Sequence, residues 1–489
     1  MKPKIARAMS TQHPDNVAIP PFASNQTLTG DDEVQEAFHI YSRLGIDEQL
    51  WDVEGKEVDN YVVHKLLSKY PDYFRQNRLG QHKFLTIRAP NPDIEKNEAK
   101  IIPELIFSIP RNHDVATAFY QEDTSPIFEV VMPMCTSEKP LIRIRELYRH
   151  LVKNLPNKKI GDMKLKGWLG NFKPKHIRIT PLFETKEEIL NSHIYIEKYI
   201  QYAKIKDFQR VWYARSDPAM NYGSVAAILL VKVALQRISS LEKKCGISIL
   251  PIIGLGSAPF RGNFKPSTVR KILEGYPSLQ TFTVQSAFKY DYPIKQVIEA
   301  IEYLNQTERG KPFEIDEEMA LKYIDAIHKD YADTIKEIAP LVNDFSKYIP
   351  GRRKRKMHIG LFGYSRNASG IKLPRTITFC AVLYSLGISP ELFGLSELTE
   401  EDFANIKTGY TNFEYDMGEA LQYFNEKNLD LLSPRMKEKI SKTAKMFKYE
   451  VNREHQEITT KIAKAYRDND CEAINELVLR AGKIRGFLG

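Results

Sequence analysis

Eight short runs rich in β-branched and aromatic residues recur through the first 290 residues, and they constrain the fold more than any other feature of the chain. They are ARAMSTQ, LWDVEG, FLTIRAP, FEVVMPM, IRITPLFE, VWYARSD, ILPIIGLG and TFTVQSAF. Their starts lie roughly 30 to 50 residues apart, the spacing of successive βα units. Several gaps carry apolar residues at helical spacing, as in YGSVAAILLVKVALQRISSLEK. Eight strands alternating with helices predict an α/β fold, an eight-stranded parallel (β/α)8 TIM-type barrel whose functional residues sit at the C-terminal strand ends.

On this reading residues 1–293 form the barrel that carries the active site. Residues 294–489 form a large, mainly helical region, marked by amphipathic segments such as IKQVIEAIEYLNQ, that supplies arginines to the site and oligomer contacts. Within it HIGLFGYS reads as one more strand, followed by a loop with Arg366 and Arg375. The helix PRTITFCAVLYSLG then begins at Pro374, a residue suited to a first helical turn.

Composition excludes several classes. A chain of 489 residues, 42% hydrophobic and 27% charged, can bury a large core and is not expected to be disordered. No uninterrupted apolar run reaches bilayer length, and MKPKIARAMSTQHPDN lacks the apolar stretch of a secretory signal, so a cytoplasmic protein with no membrane partner is expected. Cys135, Cys245, Cys380 and Cys471 show no metal-ligand or disulfide spacing and read as reduced thiols. The net charge of +9 favours anionic partners without choosing among phosphates, carboxylates and nucleic acid. The basic run GRRKRK has no interleaved aromatics for stacking bases, so it is expected to be solvated surface, and no nucleic-acid partner is expected.

The chemistry concentrates between residues 178 and 262. Glu184 closes IRITPLFE, and Asp217 closes VWYARSD. Two carboxylates on one rim suit a divalent cation such as Mg²⁺, and equally suit caps of the helices that follow. The loop GLGSAPFRGN can cradle a phosphate with backbone amides at Gly254, Gly256 and Ser257 while Arg261 supplies charge, or can simply be a glycine-rich βα turn. His13, before Pro14 at the end of the first strand, reads either as a base or, like most of the eleven histidines, as an ordinary surface or core residue, and Arg88, ending FLTIR, either as an anion contact or as one half of a surface ion pair. Trp51 serves either as a pocket wall or as core.

The motifs MSTQHPDN, ARSDPAMNYG, GLGSAPFRGN with TFTVQSAFKYD, and LPRTITFCAVLYSLGISPELFG, in that order, closely resemble those of the archaeal-type phosphoenolpyruvate carboxylases over nearly the whole chain. The resemblance implies carboxylation of phosphoenolpyruvate by bicarbonate to oxaloacetate and phosphate, with Mg²⁺ or Mn²⁺, in a homotetramer. It makes His13 the catalytic histidine, Arg88 and Arg261 catalytic arginines that also hold substrate, and Glu184 and Asp217 the metal ligands. Arg375, Arg366, Gly254, Gly256, Ser257 and Lys289 complete the substrate-binding set. The longer bacterial and plant carboxylases have a histidine, an arginine and a lysine where this chain has Ile253, Leu255 and Met220, so charge must come from elsewhere; Lys289 is one candidate. Two rivals remain: another metal-dependent barrel lyase or phosphotransferase acting on a pyruvate enolate, and a basic nucleic-acid-binding protein.

Overall fold

The computed structural model describes residues 5–53, 59–353, 366–368 and 371–489. All eight predicted strands form. They are β1 (Ala8–Ser10), β2 (Glu48–Asp52), β3 (Phe84–Arg88), β4 (Ile127–Met132), β5 (Arg178–Phe183), β6 (Phe208–Ala214), β7 (Ser248–Gly254) and β8 (Thr281–Val284). Each pairs in parallel with its neighbours in sequence, and β8 closes on β1 through Met9 opposite Thr283. A helix follows each strand: α1 (Asp31–Arg43), α2 (Val62–Lys69), α3 (Ile101–Tyr120), α4 (Lys139–Arg149), α5 (Lys186–Ala203), α6 (Ser224–Cys245), α7 (Val269–Gly275) and α8 (Ile294–Gln306).

Strand parity sorts every side chain. In β6 the residues Arg210, Trp212 and Ala214 point into the barrel, while Val211 and Tyr213 join the core shared with the helices. Three layers result. At the amino-terminal end Arg210 pairs with both Glu48 and Glu129 at 2.8 Å, all fully buried. The middle layer is apolar: Met9, Leu50, Val131, Leu182, Trp212 and Ile252. Burying each of its large side chains contributes about 1.5–3 kcal/mol. The inward positions beyond it form the candidate site at the carboxyl-terminal rim, as barrels of this kind arrange it.

One helix among the described residues, α6, is long and apolar enough to cross a membrane by length and composition, but 78% of its most apolar window is buried inside the protein. It lies between α5 and the long helix α9 (Glu317–Phe345), so packing accounts for its apolarity.

Three expectations need correction. The segment after HIGLFGYS, which itself lies outside the described residues, is a two-stranded hairpin, Arg366–Ala368 with Ile371–Leu373, not an open loop. The helix expected to start at Pro374 is α10 (Thr376–Ser385), with Arg375 as extended N-cap; Pro374 stands one residue further out. In GRRKRK, Arg352 and Arg353 are buried, because acidic and carbonyl partners from the barrel reach them. Lys354, Arg355 and Lys356 lie outside the described residues.

Candidate active site

Seven of the expected residues line one cavity of about 130 Å³ at the carboxyl-terminal rim: His13, Arg88, Glu184, Asp217, Gly254, Arg261 and Arg375. A space that small suits a compact metabolite. Register explains the convergence. Asp52 and Arg88 are paired across β2 and β3, and the carboxylate grips the guanidinium with Nε at 2.7 Å and Nη2 at 2.8 Å, which fixes the plane of the fork. Glu184 continues the inward parity of Thr180 and Leu182 one step past β5. Asp217 is the second residue of the short helix Ser216–Tyr222 that follows β6.

The helix after Glu184 takes Thr185 as its N-cap and the helix that contains Asp217 takes Arg215, so neither carboxylate occupies the capping position. Among the described residues no group of three or more His, Cys, Asp or Glu gathers as a metal cage. Two half-buried carboxylates on one cavity are instead a hard-oxygen pair, the donor set Mg²⁺ or Mn²⁺ accepts while keeping water and substrate oxygens.

His13 is half-buried, with Nδ1 2.7 Å from Thr11 Oγ1. Behind it lies a buried ionic cluster: Arg353 donates to the His13 carbonyl at 3.4 Å and to Glu33 and Glu36, and Lys289 donates to the Thr11 carbonyl at 2.7 Å and to Glu36 at 2.8 Å. Burial alone would raise the Glu36 carboxyl, yet Arg353 and Lys289 hold it down at about 2. Lys289 does not line the cavity, and its ammonium bonds Glu36 and the Thr11 carbonyl instead.

The loop GLGSAPFRGN is packed under α10. Phe260 N donates to Tyr384 Oη at 3.1 Å, and Arg261 is buried, bonding Gln285 Oε1 at 2.5 Å, the Gly489 carbonyl at 2.7 Å and Asp15 at 3.3 Å. Gly256 does not line the cavity, but a Cβ there would meet the Arg261 guanidinium at 2.6 Å, so the glycine makes room for it. Ser257 is likewise off the cavity and donates to Asp15 at 3.3 Å. The side chain of Arg366 lies outside the described residues.

A profile of the phosphoenolpyruvate carboxylase family matches residues 5–489. The chain belongs to the phosphoenolpyruvate carboxylase family. Phosphoenolpyruvate carboxylases from Methanospirillum hungatei, Methanothermobacter thermautotrophicus and Pyrococcus horikoshii are 47%, 45% and 44% identical to it, each over 99% of this chain and 100% of the relative. The expected archaeal-type family and carboxy-lyase class are thus borne out.

Within a phosphoenolpyruvate carboxylase of this type, the apolar replacements have a structural account. Ile253, Leu255 and Met220 are fully buried in the core between barrel and helices, not on the cavity, so they leave no gap there. Trp51 sits in the same core and donates to the Asp59 carbonyl at 3.0 Å. Gln285 and Arg215 are among the further residues that line the cavity. Gln285 continues the inward parity of Thr281 and Thr283 and could have been found that way. Arg215, inside ARSDP, is buried on the cavity with Nη2 on Ser224 at 2.9 Å and Nη1 without a hydrogen-bond partner. Together with Arg375 it gives the cavity cationic character that Lys289 does not.

Proposed function

We propose that this carboxylase works through carboxyphosphate and the enolate of pyruvate, with His13, Arg88, Arg261 and Arg375 as the groups that act on substrate. The observation that carries the reading is the meeting of these four with Glu184 and Asp217 on one small cavity.

A bicarbonate oxygen attacks phosphorus, and the bond from phosphorus to the enol oxygen breaks. Arg88, Arg261 and Arg375 offer fixed positive charge to a phosphoryl group whose charge is being redistributed, the task positioned cations perform best. Arg88 is held for it by Asp52, and Arg261 by Gln285 and the Gly489 carbonyl. A divalent cation, Mg²⁺ or Mn²⁺, held by Glu184 and Asp217 would supply Lewis-acid stabilisation of the enolate oxygen.

His13 then takes the proton of the carboxyphosphate carboxyl group, so that the bond between carbon and bridging oxygen breaks into CO2 and phosphate. The enolate carbon attacks CO2, and oxaloacetate forms. Thr11 Oγ1 at Nδ1 orients the ring for that transfer. Trp212, Leu182 and Ile377 wall the cavity with apolar surface and exclude water that would protonate the enolate.

A cytoplasmic location and a homotetramer belong to the same reading, and gel filtration with light scattering tests the second. For the mechanism the test is a coupled assay of oxaloacetate from phosphoenolpyruvate with and without bicarbonate and Mg²⁺. Dependence on both is expected; pyruvate release that ignores bicarbonate would favour another enolate-forming lyase or phosphotransferase.

A further inference from the structure

At the amino-terminal face of the barrel, opposite the candidate active site, lies a cavity of ≈ 430 Å³. Its lining includes the starts of β3, β4, β5 and β6 and the buried Arg210 of the barrel base. A second cavity of ≈ 260 Å³ adjoins it and shares Arg145, His176 and Lys204. Together they are lined by eight lysines and arginines but only three carboxylates.

Those carboxylates are already engaged: Glu129 with Arg210, Asp207 with Arg178, Glu146 with Arg149. Among the described residues Arg145, Lys153, Lys175, Lys204 and Lys206 form no ion pair with a carboxylate. Arg145, half-buried where the cavities meet, is oriented by the Ala203 carbonyl at 3.1 Å, a neutral partner that leaves its charge uncompensated. Arg210, in the lining of the larger cavity, has a buried Nε with no hydrogen-bond partner. The cations act on one another's surroundings. Burial first, then Lys153, Arg145 and Lys175, press the His176 imidazole below its ordinary value.

Helix ends explain only part of this. Lys204 stands at the carboxyl terminus of α5, where cations favour the helix dipole, whereas α4 runs on past Arg149 into further helical turns that end at Asn157. Arg145, a turn before Arg149, and Lys175, on the loop before β5, have no such reason. Like charges gathered in a concavity repel each other in the free protein, and a bound anion relieves that cost. Nucleic acid fits less well, because the charges ring two pockets of small-molecule size and do not line an extended track.

We propose that this basic double cavity binds a small polyanion, a di- or triphosphate or a di- or tricarboxylate, on the face of the barrel remote from the carboxylation site. The proposal does not rest on the carboxylation mechanism. Its test is calorimetric titration of the full chain with pyrophosphate and, separately, with citrate, at ionic strength matched by chloride and with the carboxylation site filled by an unreactive phosphoenolpyruvate analogue. One saturable site is expected for at least one probe, and which probe binds tells phosphate from carboxylate recognition. In the K175Q/K204Q double variant, whose changes are exposed and far from the carboxylation site, affinity should fall about tenfold or more while oxaloacetate formation without added anion stays at the parent level. Titration with neither probe above chloride, equal affinity in K175Q/K204Q, displacement by the analogue, or tighter binding of an RNA oligonucleotide than of pyrophosphate would each overturn it.

Discussion

The Nδ1 atom of His13 lies 2.7 Å from the hydroxyl oxygen of Thr11, and that hydroxyl lies 3.5 Å from the Val284 carbonyl at the end of β8. A hydroxyl that donates to Val284 accepts from Nδ1–H, which leaves Nε2 as the basic nitrogen.

Thr11→Val should therefore lower kcat by about ten- to a hundredfold while the KM for phosphoenolpyruvate changes little, and Thr11→Ser should restore most of the loss. Steady-state kinetics decide it; an unchanged kcat in Thr11→Val removes the hydroxyl from the mechanism.

Arg88→Lys keeps the charge but cannot reproduce the two-pronged grip of Asp52. We expect the KM for phosphoenolpyruvate to rise about tenfold or more. A KM at the parent value would show that charge alone suffices at this position.

Glu184→Ala with Asp217→Ala should reduce carboxylation more than about a hundredfold, and chelation of divalent cations should do the same to the parent enzyme. Calorimetry with Mn²⁺ supplies the independent readout. Undiminished Mn²⁺ binding by the double variant would assign the cation elsewhere.

A Cβ at Gly489 would meet the Ile377 carbonyl oxygen at 2.0 Å and the Ala381 amide nitrogen at 2.7 Å. Gly489→Ala must shift the backbone whose carbonyl Arg261 holds, so about 2 kcal/mol of stability should be lost together with affinity for a phosphoenolpyruvate analogue. Parent-like thermal unfolding and affinity would contradict that coupling.

Asp291 accepts hydrogen bonds from Val17 N at 3.1 Å and Ala18 N at 2.8 Å, and burial pushes its carboxyl up to about 7. With the folded value above the unfolded one, its stabilising contribution is full below about pH 4 and is lost as pH rises to about 7. Relative to the parent, Asp291→Asn should thus gain stability between those limits, by at most about 4 kcal/mol, and level off above them. Denaturant unfolding at several pH values checks the sign, and a constant difference across the window would show that the carboxyl titrates normally.

The barrel was legible because each strand carries a local signature, and the rim residues because Arg88 ends a strand while His13, Glu184, Asp217 and Arg261 follow one. What stayed hidden depends on partners distant in sequence. Nothing near Arg352 and Arg353 announces the carbonyls of Asn16 and Val17 or the carboxylates of Glu33 and Glu36 that bury them. Lys289 looked available for the same reason, since Glu36 comes from the other side of the barrel closure. Arg215 escaped notice because it follows an inward residue, Ala214, and reaches the cavity from the turn after β6, where parity no longer applies.

The ionic floor of the barrel also bears on the rim above it. Arg210 and Ala214 share one face of β6, just as Thr180 and Glu184 share one face of β5. A slip of β6 by a single residue would thrust the Arg210 guanidinium into the oily layer beneath the helices and strand Glu48 and Glu129 without their counter-ion, at a cost of about 3–5 kcal/mol or more. The base thus acts as a keyed lock on strand alignment, and a chain that folds with the key engaged arrives with its functional rim already in register.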